Sequence, residues 1–85
     1  MTLALAFIEC ESEFNSTMQD SINQVEGVLE VHILKDNGIY DVVVKIETED
    51  ETIFKDVIVT LKGIAGIRTV HVNIVYQSSV SQKPL

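Results

Sequence analysis

No apolar run in this chain of 85 residues approaches the ~20 residues that a membrane-spanning helix requires. The opening segment 2–8 is too short, lacks a basic lead-in and is followed at once by acids, so neither a membrane anchor nor a signal peptide is expected. Cysteine is almost absent. Cys10 stands alone, which excludes an internal disulfide and makes the reducing cytoplasm the expected compartment. Basic residues are scarce too: Lys35, Lys45, Lys55, Lys62, Arg68 and Lys83 are scattered singly against thirteen acids, for a net charge of −7. Nucleic-acid binding relies on clustered Lys and Arg to displace counterions, so no direct contact with DNA or RNA is expected. The glycines are isolated turn residues rather than a phosphate loop. Neither histidine has a nucleophile elbow or a cysteine partner. The chain is therefore not expected to be an enzyme, and no cofactor is implied.

At 46% hydrophobic the sequence is that of one small globular domain. Residues 2–9 read as a strand with Leu3, Leu5 and Phe7 on one face and Ala4, Ala6 and Ile8 on the other. Both faces are apolar, as in a central strand. Ser12 or a neighbour then caps a helix with the stripe Phe14, Met18, Ile22 and Val25, ended by Gly27. Residues 28–35 form a second strand, and Asp36-Asn37-Gly38 provides turn chemistry for a hairpin. The third strand, 38–46, alternates Tyr40, Val42, Val44 and Ile46 against Asp41, Val43 and Lys45. Thr48 and Glu51 have the spacing of a capping box. They precede a helix with the stripe Ile53, Val57, Leu61 and Ile64. Residues 67–76 are the fourth strand, and 77–85 form a polar tail beyond the 1–76 domain.

The halves repeat. A shift of 39 positions lays Met18 on Val57, Ile22 on Leu61, Gly27-Val28 on Gly66-Ile67 and Val31-His32-Ile33 on Val70-His71-Val72. Two successive β-α-β units predict an α+β, ferredoxin-like βαββαβ fold. Its four-stranded antiparallel sheet has the order 4-1-3-2, with two helices on one face. The uncovered face would carry Leu3, Leu5, Phe7, Leu34, Val43 and Val75, a patch that marks a partner surface. A second copy, sheet against sheet, is the simplest partner.

Few residues qualify for a site. His32 and His71 fall on opposite edges of such a sheet, roughly 14 Å apart over three strand spacings. One chain therefore builds no metal site from them, and a site between subunits stays open. The acidic runs Glu9-Glu11-Glu13 and Glu47-Glu49-Asp50-Glu51 each precede a helix, where carboxylates suit the dipole, and lie at opposite ends of the domain. Tyr40 and Asp41 remain. Either Tyr40 packs beneath the helices and Asp41 trims the strand, or the hairpin's backbone groups and the Asp41 carboxylate hold a small zwitterion.

The run Gly38-x-Tyr40-Asp41-Val-Val-Val-Lys45-Ile46-Glu47, then Asp50 and a helix, then Ile64-x-Gly66-Ile67 and a last strand, resembles the effector-binding (RAM) domain of the Lrp/AsnC family. Val25-Glu26-Gly27-Val28-x-x-Val31-His32 fits the same pattern, and the resemblance covers 2–76 without a gap. It is similar to the stand-alone form, without the helix-turn-helix DNA-binding domain of the full-length members. The resemblance implies sheet-to-sheet homodimers, rings of dimers, and small effectors such as amino acids bound near the G-x-Y-D loop. Full-length regulators of the family are implied as further partners. By position it assigns the ligand to Gly38, Tyr40 and Asp41, and less directly to Val70 and Val72. There the family often has Thr-x-Thr and this chain has Val70-His71-Val72.

Overall fold

In the computed structural model, which describes residues 1–35, 38–79 and 81, the chain runs β1 (Thr2–Cys10), α1 (Ser16–Asn23), β2 (Val28–Ile33), β3 (Val42–Thr48), α2 (Glu51–Lys62) and β4 (Ile67–Ile74). The strands form one antiparallel sheet in the order β2-β3-β1-β4. This is the ferredoxin-like arrangement that the repeat predicts. Asp36 and Asn37 of the expected turn lie outside the described residues, as do Val80 and 82–85 of the expected tail. Among the described residues no helix is long and apolar enough to cross a membrane.

The core lies between the sheet and the helices. Ala4, Ala6 and Ile8 of β1 and Val42, Val44 and Ile46 of β3 are fully buried there, with Met18 and Ile22 of α1 and Phe54, Val57 and Leu61 of α2. Alternation along a strand sends every second residue to the same face. The small alanines of β1 leave room for the larger helix side chains above them.

Both helices start later than the sequence suggests. Asn15, not Ser12, caps α1, its side chain accepting from the Met18 N–H at 3.0 Å. Asp50, not Thr48, caps α2, while Thr48 ends β3, buried, with its hydroxyl donating to the Asp50 carbonyl at 2.7 Å. Phe54, Val57 and Leu61 share the inner face, and Ile53, which the four-residue spacing places in the stripe, is 38% exposed.

Each helix exits through a glycine with positive φ, Gly27 (+96°) and Gly66 (+92°). Each exit is followed by a bulge. Val28 pairs with Ile46 but Glu30 with Lys45, leaving Leu29 as an extra residue. Ile67 pairs with Cys10 but Thr69 with Glu9, leaving Arg68 extra. An extra residue reverses the alternation of faces. Val28 and Val31 therefore both reach the core side, as do Ile67 and Val70, while Glu30, His32, Thr69 and His71 are turned to the open face.

Candidate functional site

The open face is a grid fixed by the strand register. Its middle row is His32–Val43–Phe7–His71, and the row beside it is Glu30–Lys45–Leu5–Asn73. Leu3, Leu5, Phe7, Val43 and Val75 are half-buried and Leu34 is exposed, so the expected apolar patch is present. Charged groups edge it on the β2 side. The Glu30 carboxylate meets His32 Nε2 at 2.9 Å through Oε1 and Lys45 Nζ at 3.2 Å through Oε2. Hydrogen bonding to Lys45, then to His32, holds the Glu30 carboxyl below its ordinary range.

Tyr40 is not beneath the helices. It precedes β3 in a bent segment, and its ring lies over the open face, 5.6 Å from the Phe7 ring centroid and 6.3 Å from that of His71. The expected alternation of Tyr40 with Val42 fails because regular strand geometry begins only at Val42. Gly38 and Ile39, just before it, are exposed.

Asp41 extends the sheet by one rung. Its N–H donates to the Ile8 carbonyl and its carbonyl accepts from the Leu34 N–H, each at 2.8 Å. Its carboxylate Oδ2 accepts from the Cys10 N–H at 2.8 Å, a donor beyond the last β1–β3 backbone pair. Burial, and secondarily the Asp41 charge, push the Cys10 thiol above its ordinary range, so it is a poor nucleophile. Asp41→Ala strands the Cys10 N–H and is expected to cost about 1–3 kcal/mol. Asp41→Asn keeps an acceptor and is expected to recover most of the loss in a denaturant titration. Equal losses in the two variants would remove the rung from the account.

The structure brings Gly38, Tyr40 and Asp41 to one entrance, but not Val70 and Val72. Those two pair with Ile8 and Ala6 and pack on the helix-side core; the β4 residue beside Tyr40 is His71. Periodicity alone conceals this, because the parity of β4 is set by the bulge at Arg68. Among the described residues no three His, Cys, Asp or Glu side chains of one chain are placed to hold a metal. The two acidic runs follow the opposite ends of antiparallel neighbours. Glu47 and Glu49 of the second run line an open groove of about 860 Å³ on the helix side, with Gln24, Glu26, Asp56 and Thr60. This groove was not foreseen from the sequence, since it depends on how α1 and α2 sit on the sheet.

No family model matches the chain. The homocitrate synthase of Sulfolobus acidocaldarius is 29% identical over 68 residues, 79% of this chain but only 14% of that enzyme. Among solved structures, TTHA0845 of Thermus thermophilus superposes with a TM-score of 0.82 at 18% identity, over 95% of this chain and all of its own. AsnC of E. coli superposes with a TM-score of 0.82 at 15% identity over 98% of this chain and 56% of AsnC. The chain has the fold of a little over half of AsnC. A Neisseria meningitidis transcriptional regulator, solved as its L-methionine complex, superposes on this chain with a TM-score of 0.80 at 15% identity, over 99% of this chain and 55% of its own. The chain thus spans about a seventh of the enzyme and little more than half of these two regulators.

Proposed function

We propose that the chain is a non-enzymatic, self-associating module of the AsnC type that binds a small effector, an amino acid, at the entrance to β3. Tyr40 carries this reading, because its ring is displayed beside Asp41 on an open face of the fold shared with the regulator solved with L-methionine. The Asp41 carboxylate suits the ammonium of an amino acid, the backbone near Gly38 its carboxylate, and the Tyr40 ring its side chain. His71 takes the place on β4 that the resemblance gives to Val70 and Val72. Leu3, Leu5, Phe7 and Val43 supply the middle of a sheet-to-sheet dimer interface, with rings of dimers and full-length regulators as further partners.

The test is a thermal-shift screen of the dimer against the twenty amino acids. Ligand at 100 times its dissociation constant stabilises by about 2.7 kcal/mol. For a domain of this size that is a rise of at least about 10 °C. A dimer that no amino acid shifts sinks the effector reading, and a shift that survives Tyr40→Ala and Asp41→Ala together sinks the site. The match to part of a homocitrate synthase favours a second reading, in which the module regulates an enzyme of that kind rather than transcription. In that case adding the chain with its effector alters homocitrate synthase activity.

A further inference from the structure

Glu30 and His32 stand two apart on β2 and share the open face. Their Nε2 and Oε1 atoms are 2.9 Å apart. Two ligands of a tetrahedral zinc, each about 2.0–2.1 Å from the ion, are separated by about 3.3 Å, so this hydrogen-bonded pair has to open by only about 0.4 Å, and release the proton it shares, for both atoms to face one ion. A third ligand is missing within the chain. His71 lies at the far end of the same row, about 14 Å away.

Face-to-face packing supplies that ligand when its two-fold axis runs along the strands. A two-fold axis running along the strands between two copies reverses the strand order, laying β2 of one protomer over β4 of its partner. The row His32–Val43–Phe7–His71 then lies over its own reverse. Val43 and Phe7 meet in the middle, and His32 stands opposite the partner subunit's His71 at each rim. Packed sheets are about 10 Å apart, a gap that two imidazoles span by meeting at its mid-plane.

We propose that the dimer binds zinc or a similar divalent transition ion between its subunits, with Glu30 and His32 of one protomer and the partner subunit's His71 as ligands. Two imidazoles and a carboxylate with a position left for water are a zinc ligand set. Symmetry gives one site per protomer. The Tyr40 ring beside His71 restricts the rotation of that imidazole. Lys45, 3.2 Å from the other Glu30 oxygen, opposes a dication and moderates the affinity. The proposal rests on the sheet-to-sheet dimer above.

The experiment is zinc titration calorimetry on protein whose oligomeric state in EDTA is fixed by light scattering. The expected result is one zinc per protomer. His32→Ala and His71→Ala each weaken binding more than about 100-fold, beyond the 10–100-fold typical of losing an outer-shell partner. Both side chains are exposed, and unchanged melting temperatures in EDTA confirm folding. Lys45→Met tightens binding. Mixed dimers of the two histidine variants recover one wild-type site each, because one of their two rims keeps both imidazoles. A dimer without zinc affinity overturns the site alone. So does loss of zinc in His32→Ala but not His71→Ala, or mixed dimers that recover nothing. A chain that is monomeric with and without zinc overturns the dimer as well.

Discussion

Leu61→Ala is expected to lower the free energy of unfolding by about 2–5 kcal/mol, with the urea midpoint falling at unchanged slope. Leu61 is fully buried and among the largest such side chains, in one cluster with Ile22, Ile46, Phe54 and Val57. Truncation removes both its transfer free energy and the contacts of its neighbours, since strands and helix cannot close the gap without breaking their own hydrogen bonds. Helix propensity does not add to the loss, because alanine is the better helix former. At about 0.05–0.15 kcal/mol per residue a chain of this length has roughly 4–13 kcal/mol in total, so the variant forfeits a large share of its stability. Val59, on the same helix but 70% exposed, is the control. Val59→Ala is expected to stay within about 0.5 kcal/mol. A self-associating chain gains apparent stability with concentration, so both titrations are run at the same protein concentration. A Leu61→Ala midpoint as small in its shift as that of Val59→Ala would show that the helix–sheet layer is not the core.

The contrast between these two helix positions was readable from periodicity; much of the site was not. Alternation of apolar residues placed β1 and β3 in the centre of the sheet, and the repeat placed the glycine exits and the histidines on equivalent positions of the two edges. The inner face of α2 departs from the sequence pattern at one position, because steps of four back from Leu61 and Val57 lead to Ile53 while a step of three leads to Phe54, which is the buried residue; only the backbone shows Asp50 as the cap. For Tyr40 the sequence leaves two placements open, and the structure takes the one that alternation disfavours. A period of two applies within a strand, and the bend before Val42 breaks it at Tyr40. The nearness of Tyr40 to His71 joins the entrance of β3 to β4 across β1, a contact that no local spacing encodes. Asp41 has two aspects for the same reason: the G-x-Y-D resemblance points to a ligand, while the fold has already engaged one of its oxygens with the Cys10 N–H.

The two helix exits allow a sharper test of how far the halves are equivalent. Gly27→Ala and Gly66→Ala both force a Cβ onto a residue with φ above +90°, a strain of about 1–3 kcal/mol each. From the repeat alone the two losses should match. The structure predicts otherwise. A Cβ at Gly27 comes 2.9 Å from the backbone oxygen of Glu47, whose own N–H donates to the Gly27 carbonyl at 2.8 Å. Relief therefore requires moving β3, and overpacking of this kind adds about 1–3 kcal/mol. At Gly66 the nearest atom is Cε of Met18 at 3.2 Å, the end of a flexible side chain that can swing away. Gly27→Ala is therefore expected to cost about 2–6 kcal/mol against about 1–3 for Gly66→Ala, read as melting temperatures at equal protein concentration. Met18→Leu has little effect on the Gly27 variant, whereas at Gly66 the stiffer, branched side chain yields less readily and deepens the loss. Equal losses at the two glycines would mean that the Glu47 carbonyl gives way freely, and that the pinning of β3 to the exit of α1 is weaker than its hydrogen bond implies.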